Sequence, residues 1–127
     1  MGGFMRNLLY RIKKANFDDL KKNGDLEVGK IICVLEDEDF NYRTTKLYKT
    51  LTKLDEDSIN NIIIHILTGR ELSRYYGTTL KIKFNEYIEY FKECDIINKT
   101  EKMAKMEYIC LKRRKLNNYI DTVLRYL

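Results

Sequence analysis

An all-α fold, a single-domain bundle of about six to seven helices spanning residues 1–127, is what this sequence predicts, on three observations. The chain contains no Pro, no Trp and only six Gly, so the residues that break helices and build tight β turns are scarce. Apolar side chains recur three and four residues apart along most of its length, the spacing that gathers them on one side of a helix. Hydrophobic residues make up 44% of the chain, including ten Tyr and five Phe, which is enough to fill one core in 127 residues.

Phe4, Leu8 and Ile12, with Met5 and Leu9 beside them, predict an amphipathic helix over residues 4–15, within a possible extra N-terminal helical unit over 1–27. Asn16 is placed as the cap of a short second helix holding Phe17 and Leu20, which Asn23-Gly24 would stop. Val28, Ile31, Ile32 and Leu35 then form a third stripe, closed by Glu36-Asp37-Glu38-Asp39, whose carboxylates oppose the negative end of a helix dipole. Phe40 and Tyr42 are expected to tuck this connection against the core. Thr44 or Thr45 caps the next helix, which carries Leu47, Tyr48, Leu51 and Leu54.

Asp55-Glu56-Asp57 supplies acids for the start of a helix with the stripe Ile59, Ile62, Ile63 and Ile66, and Gly69 is expected to end it. Tyr75-Tyr76-Gly77 reads as a loop leading to Thr78 or Thr79 as a cap. Leu80, Phe84, Tyr87, Ile88 and Phe91 fit a helix; residues 80–84 also alternate like a short strand, but the length of the pattern favours helix. Residues 100–127 form a basic C-terminal segment with Met103, Met106, Cys110, Leu116, Tyr119, Ile120, Val123, Leu124 and Leu127 on its apolar side, either one helix or two.

The formal net charge is +5 and unevenly spread: residues 36–60 hold seven acids and four bases, residues 101–127 seven bases and three acids. Opposed patches of this kind favour charge-directed contacts with other molecules or between copies of the chain, so a homo-oligomer stays open. No apolar run has the length of a membrane span, Gly2 lacks the Ser or Thr at the sixth position that myristoylation prefers, and three dispersed Cys suit a reducing compartment. The expected location is the cytoplasm, with the nucleus also open, which makes the sequon at Asn98-Lys99-Thr100 irrelevant.

Catalytic and metal motifs fail on their own chemistry. Gly24 to Lys30 matches a phosphate-binding P-loop until Ile31 replaces the required hydroxyl, and no strand precedes it. His65 is the only imidazole and falls with Ser58, Asn61 and Thr68 on the polar side of its helix, so an exposed histidine is expected. One His and three scattered Cys make no zinc site, and Asp55-Glu56-Asp57 lacks the Gly and Glu of a calcium loop. The expectation is a non-enzymatic binding protein without a cofactor. Lys112-Arg113-Arg114-Lys115, between Tyr108 and Tyr119, is the densest basic cluster and raises nucleic acid as an alternative partner, although four consecutive charges cover every side of one helical turn.

Lys53 to Ile64 followed by Gly69 resembles the fourth-helix region of pyrin domains, members of the death-fold superfamily, where an acidic turn leads into an aliphatic helix. Ile31 to Asp37 with Glu38-Asp39-Phe40 looks like their first helix and the start of the second, and Tyr87 to Phe91 with Asp95-Ile96-Ile97 like the closing helices. The segment from Phe40 to Asp55 is shorter than the family pattern; a second register begins at Leu8 with Phe17 to Lys22 as helix two. The resemblance implies a death-fold-like bundle and, by analogy with poxviral pyrin-only proteins, a decoy that binds a host signalling adaptor and dampens inflammasome and NF-κB signalling. Poxviral Bcl-2-like inhibitors of apoptosis or NF-κB are a second resemblance, through Lys46 to Leu51. Pyrin-type association would set Glu36, Asp37, Asp55 and Asp57, with Glu38 and Asp39 beside them, against a partner's equivalents of Lys46, Lys49 and Lys53.

Overall fold

The computed structural model describes residues 2–22, 41–74 and 80–127. Among them lie seven α-helices and no strand: α1 (Gly2–Lys22), α2 (Lys46–Thr52), α3 (Glu56–Leu72), α4 (Leu80–Phe91), α5 (Asp95–Asn98), α6 (Lys102–Leu111) and α7 (Arg113–Leu124), with a 3₁₀ turn at Tyr42–Thr44. The Val28–Leu35 stripe, the P-loop lookalike, the acidic run Glu36–Asp39, Phe40, Cys33 and the Tyr75–Thr79 loop lie outside the described residues. No described helix is long and apolar enough to cross a membrane.

One core draws on α1, α2, α3, α4, α6 and α7, and α3 is its axis. Ile59, Ile62 and Ile63 are fully shielded from solvent, and every residue from Ile62 to Gly69 is buried. The stretch from Ile62 to Gly69 houses two polar side chains, and both bond to carbonyls of the helix itself. Thr68 Oγ1 donates to the Ile64 carbonyl at 2.8 Å, and His65 Nδ1 meets the Asn61 carbonyl at 2.7 Å. The expected exposed histidine is therefore corrected: His65 is 8% exposed, with the Phe84 ring of α4 centred 6.3 Å away. A carbonyl only accepts, so the His65 proton sits on Nδ1.

Burial pushes the His65 pKa down, the neighbouring charge of Lys92 adds to this, and the Asn61 hydrogen bond opposes it. Since folding disfavours the second proton that would make the ring an imidazolium, the stability contributed by neutral His65 is complete above the ordinary value of 6.5 and declines as pH falls below it. We expect the melting temperature to drop between pH 7.5 and pH 5, and His65→Leu to flatten that part of the profile. An unchanged slope in the variant would assign the acid sensitivity elsewhere.

Gly69 does not end α3, which continues to Leu72. The glycine is there because α7 crosses at that point: a Cβ on Gly69 would lie 2.2 Å from the Tyr119 carbonyl oxygen. A close crossing leaves no local signature, which is why this glycine resembles a helix stop in the sequence.

α1 is one helix of 21 residues, where two were expected. Met5, Leu8, Leu9 and Ile12 make its inner stripe, and Phe4, at the stripe's edge, is 70% exposed. Asn16 is no cap. It is fully buried against α7, donating to the Arg113 carbonyl at 2.7 Å and to Asn117 Oδ1 at 3.0 Å. Asn117 Nδ2 returns a 3.3 Å bond to the Lys13 carbonyl, and Lys13 pairs with Asp121 at 2.5 Å. The Asn16 nitrogen finds both acceptors in only one register of α1 on α7, so the cluster specifies how the two helices meet.

α2 begins as expected at Thr45, whose Oγ1 accepts the Tyr48 N–H at 3.0 Å. A second cap comes from a distance: buried Asp19 of α1 accepts the Lys46 N–H on Oδ1 and the Leu47 N–H on Oδ2, both at 2.9 Å. Asp55 caps α3 through the Ser58 N–H at 2.8 Å. Residues 100–127 form two helices, parted at Lys112. Met106, Ile109 and Cys110 of α6 face inward, Met103 is 57% exposed, and burial pushes the Cys110 thiol up to about 12, so it stays protonated and packs as a small apolar side chain. Lys105 is buried with its ammonium 3.1 Å from Glu56, joining α6 to the first turn of α3.

Candidate binding site: a basic trough between helices α1 and α2

The inner stripes of α1 and α2 determine what each turns outward. With Leu8, Leu9 and Ile12 in the core, α1 presents Tyr10, Arg11, Lys14 and Phe17; with Leu47 and Leu51 in the core, α2 presents Lys46, Lys49 and, at its C-cap, Lys53. The two outward faces border an open trough of about 580 Å³, lined by Tyr10, Arg11, Lys14, Ala15 and Asp18 from α1 and by Lys46, Lys49, Thr50 and Lys53 from α2. Five cations thus surround one carboxylate. A smaller hollow of about 220 Å³ adjoins it between Tyr10 and Phe17, with Lys13 and Lys14 as its other walls.

Asp18 is held between the rails, with Oδ1 3.0 Å from Lys14 Nζ and Oδ2 3.4 Å from Lys46 Nζ. The hydrogen bond from Lys14 lowers its pKa most, followed among the favourable causes by the charges and hydrogen bond of the two lysines, so it remains a carboxylate. Exposed pairs of this kind add little to stability. Arg11, Lys49 and Lys53 have no acidic partner among the described residues. The trough therefore offers a positive field, the Tyr10 ring and the apolar stems of its lysines, with the Phe17 ring in the adjoining hollow, a set suited to holding an anionic partner.

Lys46, Lys49 and Lys53, singled out in the sequence, come together here. Arg11, Lys14, Tyr10 and Phe17 were missed, although their helical spacing in the first amphipathic stretch was a signal for a shared outer face. The other expected site residues are not part of the trough. Asp55 is exposed but committed to the α3 cap, its pKa lowered first by the Ser58 hydrogen bonds; Asp57 is exposed in the same turn. Glu36, Asp37, Glu38 and Asp39 lie outside the described residues.

The basic run is dispersed by the helix that carries it. Lys112 rests its ammonium 5.3 Å from the Tyr108 ring centre, Arg114 is half-buried and Lys115 is exposed. Arg113, expected on a binding surface, is 5% exposed and shares the inner stripe of α7 with Leu116, Ile120 and Val123. Its position three residues before Leu116 puts it on that stripe, which a count of consecutive charges hides.

Among the described residues no three His, Cys, Asp or Glu side chains are grouped to hold a metal ion. The fold and the trough together define an all-α bundle that presents one basic, aromatic-flanked face. No protein-family model matches the chain, and no curated protein or solved structure matches it either.

Proposed function

We propose that this protein is a non-enzymatic interaction module that binds an acidic partner protein along the α1–α2 trough. The observation that supports the reading is the grouping of Arg11, Lys14, Lys46, Lys49 and Lys53 around the single carboxylate of Asp18, on an open surface. The pyrin resemblance makes a host signalling adaptor the expected partner, and a viral modulator of inflammasome and NF-κB signalling in the cytoplasm the expected role. Nucleic-acid binding through Lys112 to Lys115 loses support because Arg113 is turned into the core.

Electrostatic contacts of this kind set partner choice and association rate more than fold stability. Lys46→Glu with Lys49→Glu and Lys53→Glu is expected to weaken capture of the adaptor about 100-fold, at about 1 kcal/mol for each reversed contact. All three side chains are exposed, so each should change stability by no more than about 0.5 kcal/mol. Titration calorimetry against the adaptor at two salt concentrations measures this. Undiminished affinity in a folded triple variant would rule the trough out. Asp57→Lys is the matching test of the acidic side, because it leaves the Asp55 cap intact.

A further inference from the structure

We infer that the trough is built for an acidic amphipathic helix, one of whose bulky apolar side chains seats in the hollow between Tyr10 and Phe17. The inference rests on the reading of the trough as a protein-binding site and specifies its ligand.

The cations repeat at helical spacing. Lys46, Lys49 and Lys53 stand at offsets of three and seven on α2, while Arg11 and Lys14, with Asp18 beyond them, stand at offsets of three and seven on α1. Each rail is therefore about 10 Å long at roughly 1.5 Å per residue. A third helix lying in the trough brings its own side chains round at the same repeat, so acids at matching spacing meet the lysines over two turns. An extended chain, with a period of two residues and about 3.3 Å of rise for each, falls out of phase with both rails.

The hollow gives the anchor a place. It is about 220 Å³ and walled by two rings, Tyr10 at 45% and Phe17 at 43% exposure, together with Lys13 and Lys14. The hollow is open and formed by side chains of α1 alone, so a Leu or Phe side chain would lie against the two rings with its outer side still facing solvent. Helices that dock in grooves are recognised through such anchors, with charged flanks fixing their orientation.

Asp18 separates this ligand from a nucleic acid. Its carboxylate, held by Lys14 and Lys46, places a negative charge among the lining cations of the trough. A phosphate backbone carries a charge at every nucleotide and meets that carboxylate in any register. A helix with discrete acids can set a neutral residue opposite it.

The test uses the full chain and a fluorescent synthetic peptide of about four helical turns, with Glu at three- and four-residue spacing and one central Leu. Companion probes replace the Leu with Ala, place a Pro in the middle, or substitute a single-stranded oligothymidylate of equal charge. The parent peptide should bind, and the Leu→Ala probe should lose about tenfold, as for an aliphatic side chain that is only partly buried. Phe17→Ala or Tyr10→Ala in the protein should produce the same loss without adding to that of the Ala probe, and the Pro probe should bind more weakly than the parent. Equal binding of the Leu and Ala probes, or of the Pro probe, would overturn the helix-and-anchor inference while leaving an acidic-partner trough intact. Tighter binding of oligothymidylate, abolished by the triple lysine reversal, would replace it with a nucleic-acid site. Should no probe bind while the triple reversal still abolishes adaptor capture, only this inference fails; should neither respond, the trough reading fails with it.

Discussion

Gly69→Ala is expected to destabilise the protein by about 3 kcal/mol, although alanine is the better helix former by about 1 kcal/mol. The added methyl would sit 2.2 Å from the Tyr119 carbonyl oxygen and 2.8 Å from its carbon, and neither atom is the tip of a flexible side chain. Relief requires α3 and α7 to separate. That opens the contact between two helices whose inner stripes are both fully buried, and a close-packed core does not refill such a gap. In a domain of this size the melting temperature should fall by roughly 10–15 °C. Gly3→Ala is the matching control: it lies in α1 with nothing within 4 Å of its would-be Cβ, so alanine there should be neutral or slightly stabilising. If Gly69→Ala melted as high as the parent, or higher, the close α3–α7 crossing would be wrong.

Asp19→Ala should cost a similar amount, about 3 kcal/mol, by a different route. Its two oxygens accept the Lys46 and Leu47 N–H groups, which lie at the start of α2 and have no partner within the helix. Hydrogen bonds to a charged acceptor contribute about 1.5–3 kcal/mol, and a carboxylate at a helix N-terminus adds its interaction with the dipole. Asp19→Asn keeps one acceptor oxygen and should lose about half as much, a graded response that simple loss of packing would not give. Amide exchange at Lys46 and Leu47 should accelerate in both variants, more so in the alanine form. Because α2 carries Lys46, Lys49 and Lys53, loosening its start should also weaken the partner capture proposed for the trough. Unaltered exchange at those two amides would mean that Asp19 does not hold α2.

Much of the architecture was written locally. Three- and four-residue apolar spacing located α2, α3, α4 and the apolar side of the C-terminal segment, though not its division into two helices, and short polar side chains marked the starts of α2 at Thr44 or Thr45 and of α3 at the acidic turn from Asp55, because a cap bonds to amides only two or three residues away. The same local rules misread residues whose role is to meet another helix. Asn16 looks like a cap and instead pins α1 to α7; Gly69 looks like a stop and instead lets α7 pass; His65 looks solvated and instead lies under α4.

The candidate site divides in the same way. That Lys46, Lys49 and Lys53 share one side of a helix follows from their spacing, and so does the outer face of Tyr10, Arg11, Lys14 and Phe17. Only packing could set these two faces against each other, drop Asp18 among the cations and draw Arg113 out of the basic run into the core. A helix's own period decides which residues it turns outward. Which other outward residues they then face is decided by contacts between segments far apart in the chain, and no local pattern encodes those.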